Sequence, residues 1–484
     1  MQTTRPVFGL AGAVLATLAI AATAAAQPPL LGPERCRLVN GPAPAAYARC
    51  GKLAVPLDPA NPDGPKIEVF VARIAALSSE PRPDPLVLIA GGPGQSTVDM
   101  YLQQRGAFEA VHRDRDLILV DQRGTGRSAE GFACATPDDL SLDTAGPAEL
   151  ERVIDACLAQ LEHDARFYTT SVAVQDLERV RAALGIEQWN VYGVSYGTRV
   201  AQHYLRRFRE HTRAVILDGV VPPPLALGPD VAREAQRALE QIFARCAADA
   251  QCGKKFADLP RTFAELLARL DAAAETDPAL RPPLSPLELR ALVRVMSYDV
   301  ATVALLPVLI TEAHAGNYAP LVGQAATLLR DLPESLAFSM SNSVTCTEDF
   351  KFVNADADAA GLDATYLGTS IVQGLALICR RWPAGAIDDD FKTPVVADTP
   401  VLLLSGEFDP ITPPAYAERV RDGGLSNSVH VIGRSQGHGL IGIGCVPRIV
   451  RAFLESPKPQ ELNASCLEAE PPTPFFLSLL GPAP

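Results

Sequence analysis

Residues 189–197 read Trp189-Asn190-Val191-Tyr192-Gly193-Val194-Ser195-Tyr196-Gly197, and the chain runs on through Thr198 to Phe208. Trp189–Tyr192 predicts a short strand buried on both faces, and Thr198–Phe208 predicts a helix. Between them a glycine stands two residues either side of Ser195. That spacing lets a strand turn sharply into a helix and hold a hydroxyl at the apex of a strained elbow. The five-residue pattern alone is common, so its strand–turn–helix setting carries the weight.

The same texture extends outward from the elbow. Apolar runs at Leu53–Leu57, Ile67–Ala72, Leu86–Ala90, Leu117–Asp121 and Ala214–Leu217 predict strands. Helical spacing appears at 147–163 and 172–184, and this alternation indicates α/β architecture. After Val221-Pro222-Pro223-Pro224 the pattern changes. Val231–Ala247, Thr262–Ala274 and Glu288–Leu306 have helical periodicity with almost no buried-strand signature. Val401–Leu404 and Val429–Ile432 then restore the strands, and Pro447–Leu454 predicts a closing helix. The expected organisation is a core over 36–225, a helical insertion over 226–395, a returning core segment over 396–466, and a Pro-rich, partly docked tail over 467–484. Residues 27–65 read as an extended lead-in with little regular structure.

A nucleophilic serine needs a base, and the base needs an orienting carboxylate; on this architecture the chain order is serine, acid, histidine. Two histidines follow a plausible late acid. His430 lies inside a predicted strand, whereas His438 sits in the loop Ser435-Gln436-Gly437-His438-Gly439 just beyond it, so His438 is the candidate base. The run Val401–Leu404 leads into Ser405-Gly406-Glu407-Phe408-Asp409-Pro410. Asp409, three residues past the glycine and fixed by the following proline, is favoured over Glu407 as the acid. Donors for an oxyanion are expected from the Tyr196 N–H and from Gly91-Gly92-Pro93-Gly94, with Gly92 ahead of Gly91.

Ala90-Gly91-Gly92-Pro93-Gly94, Asp121-Gln122-Arg123-Gly124-Thr125-Gly126-Arg127-Ser128, Gly193–Gly197, Gly406–Asp409 and Gly437-His438-Gly439 together resemble the α/β-hydrolase family. More narrowly they resemble its prolyl-aminopeptidase and tripeptidyl-aminopeptidase branch, including exported bacterial members with a tripeptidyl-aminopeptidase-type C-terminal region. The similarity spans roughly 36–466. Ala90 departs from it, where relatives often carry histidine or glycine, but only the backbone is needed there. The resemblance implies a mostly parallel sheet flanked by helices with an inserted helical cap, and cleavage of short peptides from a free N-terminus by a serine aminopeptidase. Such cleavage needs an anion for the substrate's α-ammonium. The branch carries a similar Cys-x-x-acid pattern at Cys346-Thr347-Glu348-Asp349, which points to Glu348 and Asp349, with Asp299 or Glu312 as alternatives.

The N-terminus bears on where this chemistry takes place. Arg5 precedes the apolar stretch 7–22, and Ala24-Ala25-Ala26 supplies small residues for cleavage. Residues 1–26 therefore read as a secretory signal peptide cleaved near Ala26, with a periplasmic or secreted product and no stable membrane insertion afterwards. Export suits the ten cysteines, Cys36, Cys50, Cys134, Cys157, Cys246, Cys252, Cys346, Cys379, Cys445 and Cys466. Pairing each with its nearest neighbour gives the simplest set of five disulfides. No close C-x-x-C pair supports zinc, and neither a metal nor an organic cofactor is implied. A formal net charge of −13 argues against nucleic-acid binding. Two rival functions remain: a carboxylesterase or acyl hydrolase with the same triad, and a non-catalytic binding protein on the same fold.

Overall fold

The computed structural model describes residues 1–2, 30–134, 147–276, 284–329, 335–354 and 358–482. The expected signal peptide lies outside the described residues, apart from its first two. Nine strands form one sheet: β1 Arg35–Leu38, β2 Ala46–Pro56, β3 Lys66–Ile74, β4 Leu86–Ile89, β5 Leu117–Val120, β6 Trp189–Val194, β7 Thr212–Asp218, β8 Val401–Gly406 and β9 Ser428–Gly433. Their spatial order is β1-β2-β3-β5-β4-β6-β7-β8-β9. The first three strands and the β3–β5 contact are antiparallel, and every pairing from β5 through β9 is parallel.

The parallel strands are apolar runs because helices cover both faces, leaving no side to meet water. Leu86–Ile89 and Leu117–Val120 are buried throughout. Side chains alternate into two apolar layers, one containing Val87, Val191 and Leu403, the other Leu88, Tyr192 and Leu404. Covering helices include Thr170–Ala183, Tyr196–Arg207 and Val446–Glu455.

Two expectations are corrected. The lead-in contains β1 and the whole of β2, joined by a Cys36–Cys50 disulfide. Its buried positions Ala46 and Ala48 are small, so the alternation is present without the branched or aromatic residues that advertise a strand. The expected segment 288–306 is two helices, Pro286–Met296 and Val300–His314. Asp299 ends the continuity by capping the second one, its Oδ1 accepting the Ala301 N–H at 2.8 Å.

Between β7 and β8 the described chain is helical, from Pro229–Ala248 to Ser370–Cys379. These helices bury their own apolar cluster, including Leu239, Leu266, Leu289 and Leu309. Phe475 of the C-terminal tail packs into that cluster and lies against Arg245. The disulfides are Cys36–Cys50, Cys134–Cys157, Cys246–Cys252, Cys346–Cys379 and Cys445–Cys466, the nearest-neighbour set. Among the described residues no helix is long and apolar enough to cross a membrane.

Candidate active site

Because β6, β7, β8 and β9 are adjacent and parallel, the residues after their carboxyl ends meet along one edge of the sheet. Ser195 follows β6 with φ 56° and ψ −125°, a conformation that costs energy in any residue bearing a Cβ. The flanking glycines make it possible. A Cβ on Gly193 would lie 2.3 Å from the Gly197 carbonyl oxygen, and one on Gly197 would lie 2.4 Å from that of Ile89.

Asp409 follows β8 and is fully buried. Its Oδ1 accepts the Ile411 and Thr412 N–H groups at 2.9 and 2.8 Å, while Oδ2 accepts the Thr412 hydroxyl at 2.7 Å. The same Oδ2 lies 2.8 Å from His438 Nδ1. Burial pushes the Asp409 pKa up, but the His438 charge, its hydrogen bond and the two N–H donors outweigh this and hold it below the ordinary value. Burial pushes His438 down, and Asp409, then Asp218, overcomes that and leaves it raised. With Nδ1 held by Asp409, Nε2 is the ring nitrogen left without a hydrogen bond to a described residue.

The imidazole is positioned from the cap as well. Its backbone N–H donates to the Tyr298 carbonyl at 2.8 Å, and the two rings meet edge-on with centroids 5.1 Å apart. Among the described residues its ring hydrogen bonds run to Asp409 and Thr412, with none to Ser195 Oγ. Nucleophile–base contacts in unliganded sites commonly tighten when substrate binds. The rejected alternatives have other work. His430 bonds Ser405 Oγ at 3.0 Å and is pushed down to about 4, chiefly by burial. Glu407 accepts the Ser435 N–H at 2.8 Å.

Tyr196 opens the helix Tyr196–Arg207, so its N–H is one of the terminal donors without an intrahelical acceptor. The glycine loop lies directly against Ser195: a Cβ on Gly91 would stand 2.9 Å from Ser195 Cβ. Gly91 N–H is used by Gln95 Oε1 at 3.3 Å. Gly92, exposed and at φ +106°, donates to no described residue and is the available one of the pair. Asp121 was missed by the sequence reading. Its buried carboxylate takes the Ser96 hydroxyl and the Val98 and Arg127 N–H groups, which anchors the helix that follows the glycine loop. Arg123 beside it is wholly buried and makes a two-bond pair with Asp176 that shapes this turn.

The expected ammonium-binding acids both have partners within the protein. Glu348 Oε1 and Oε2 accept the Thr170 N–H and hydroxyl at 2.6 and 2.9 Å. Asp349 is clasped by both Nη atoms of Arg199 at 3.0 and 2.8 Å and also accepts the Leu227 N–H. Both acids are buried, and Arg199 sits four residues past Ser195 on the elbow helix. Both acids tie the insertion to that helix through Arg199. Burial pushes Glu348 up to about 7 against the pull of Arg199. The alternatives are also engaged, Asp299 as a helix cap and Glu312 as an acceptor for Asn317 Nδ2 at 2.8 Å.

Two family models match the chain, one described as alpha/beta hydrolase fold over residues 84–282 and one as TAP-like protein over 364–466. Serine protease Hip1 of Mycobacterium tuberculosis is 33% identical over 227 residues, which is 42% of this chain and 42% of Hip1. The chain therefore spans less than half the length of that relative. Tripeptidyl aminopeptidase of Streptomyces lividans is 25% identical over 466 residues, covering 88% of this chain and 85% of that one. A solved proline iminopeptidase of Mycobacterium smegmatis aligns over 84% of this chain and 99% of its own, with 18% identity and a TM-score of 0.43.

Proposed function

This chain belongs to the α/β-hydrolase family, and from that premise we propose that it is an exported serine hydrolase cleaving short peptides from a free N-terminus through an acyl-enzyme. Ser195 Oγ attacks the scissile carbonyl while His438 Nε2 takes its proton. Asp409 steadies the imidazolium, and the Gly92 and Tyr196 N–H groups receive the oxyanion. Collapse of the tetrahedral intermediate expels the amine, protonated by His438. Water, deprotonated by the same imidazole, then releases the acyl group and restores the serine.

The carrying observation is the 2.8 Å Asp409–His438 contact, taken with the strained Ser195 elbow on the same parallel sheet. The tripeptidyl aminopeptidase relative, alike over most of both chains, favours peptides as substrates. Residues 226–395 act as a cap that limits substrate size. The leader at 1–26 and five disulfides favour an oxidising, extracytoplasmic setting.

One observation favours a second reading, a carboxylesterase with the same triad: Glu348 and Asp349 are taken up by Arg199 and Thr170. Turnover of tripeptidyl arylamides, their N-blocked versions and simple esters separates the two. A strong preference for the free N-terminus supports the aminopeptidase; equal turnover of free and blocked amides leaves the esterase. Fluorophosphonate labelling, lost in Ser195→Ala, tests the nucleophile itself and would exclude a non-catalytic binding protein.

A further inference from the structure

The helix Pro286–Met296 carries Arg294, and Tyr298 follows it. Arg294 Nη2 donates to Tyr298 Oη at 2.9 Å, and the guanidinium carbon lies 5.5 Å from the centre of that ring. The same ring is the one packed edge-on against His438. Arg294, Tyr298 and His438 therefore form a continuous stack running from the cap to the catalytic base.

Arg294 is the member with an unmet need. Among the described residues it has no carboxylate partner, and its buried Nε has no acceptor. The neighbouring Arg290, by contrast, is paired with Asp271 at 2.8 Å. The buried Tyr366 hydroxyl, within electrostatic reach of Arg294, also has no partner among the described residues. A half-buried guanidinium without a counter-charge is costly, and the Tyr298 hydroxyl bonded to it adds a donor of the kind a carboxylate takes. Tyr298 Oη already accepts from Arg294, which leaves its own hydrogen to give.

The position identifies which end of a substrate this cluster meets. His438 must hand its proton to the departing amine, so groups stacked on its cap side flank the leaving part of the peptide. Resting on the peptide-hydrolase reading above, we infer that Arg294, oriented by Tyr298, binds the free C-terminal carboxylate of a short peptide just beyond the scissile bond. The cap would then select substrates by where they end, and longer chains would lose this contact.

The test compares short peptides carrying a free C-terminal carboxylate with the same peptides as C-terminal amides, product release being followed by chromatography. Active sites are titrated in parallel with a fluorophosphonate. The wild-type protein should prefer the free acid in kcat/KM by roughly 10- to 100-fold, the range of a charge-assisted hydrogen-bond pair. R294Q should bring the ratio close to one, and R294K should keep part of it. No preference in the wild type, or a preference unchanged in R294Q, overturns the inference while leaving the hydrolase reading standing. Failure of the wild type to take up the fluorophosphonate overturns both.

Discussion

The main-chain carbonyl of Asp218 accepts the N–H of Ser195 at 2.8 Å, which ties the serine to the end of β7. The carboxylate of the same residue accepts the Leu440 N–H at 2.8 Å and the Ile441 N–H at 2.9 Å, two and three residues past His438. Tyr192 Oη supplies a further donor at 2.9 Å. One buried aspartate therefore fixes both the serine elbow and the histidine loop. Its charge also adds to the field that raises the His438 pKa. Asp218→Asn should place an amide against those N–H donors and slacken the loop. Loss of one such bond, at about 1.5–3 kcal/mol, predicts a fall in kcat of about 10- to 150-fold. The acid limb of the pH–rate profile should move to lower pH, because a negative charge near the imidazolium is gone. A purely structural role would lower the rate without moving that limb.

Gly219 is the next residue, at φ +68°. A Cβ there would lie 2.9 Å from His438 Cε1 and 3.0 Å from Thr412 Oγ1, the two groups that share Asp409. Gly219→Ala should strain the backbone by about 1–2 kcal/mol and push the imidazole off its aspartate. Fluorophosphonate labelling is expected to slow far more than the melting temperature falls. Equal losses in both would mean that the clash is absorbed elsewhere.

The contacts of Glu348 with Thr170 and Arg199 make a prediction opposite to an ammonium-binding role. Glu348→Gln leaves Asp349 on Arg199 but removes a carboxylate oxygen from Thr170 and weakens the attachment of the insertion to the elbow helix. Stability should fall by about 1–3 kcal/mol. kcat/KM should drop by the same factor for free and N-blocked substrates. A selective rise in KM for free N-termini would return Glu348 to the substrate.

Much of this arrangement is legible in the sequence because the chemistry-bearing loops follow unmistakable strands. The runs before Ser195, Glu407–Asp409 and Gly437–Gly439 are apolar and short, and the topology of a parallel sheet then brings their ends together. The partners of Glu348 and Asp349 are not legible. Arg199 lies 150 positions before Asp349 in the chain, and an acidic pair looks the same locally whether it meets a substrate or an arginine. Asp121 and Asp218 fall between these cases. Each closes a buried apolar run immediately before a turn, where a charge has no reason to stand unless backbone donors receive it. That signal was available and unused. The short β1 and the alanine-lined first half of β2 carry too little side-chain mass to announce themselves.

The coupled shifts of Asp409 and His438 predict the pH response. Proton transfer from Ser195 requires neutral imidazole, so activity is lost as pH falls through the His438 pKa. Asp409 and Asp218 outweigh burial and raise that pKa above its ordinary 6.5. Activity should therefore begin to fail at a higher pH than an unperturbed histidine would allow, and recover fully on the alkaline side. Asp409, held below the ordinary carboxylate range, stays ionised throughout that window. Asp409→Asn removes the charge that raises His438 and the acceptor that fixes its tautomer. Turnover should drop by about 10⁴-fold, the scale for losing an orienting carboxylate in such a triad. Any residual activity should show its acid limb at lower pH. A pH–rate profile of kcat/KM for both proteins decides the point, and an unshifted limb would show that Asp409 does not act on the imidazole.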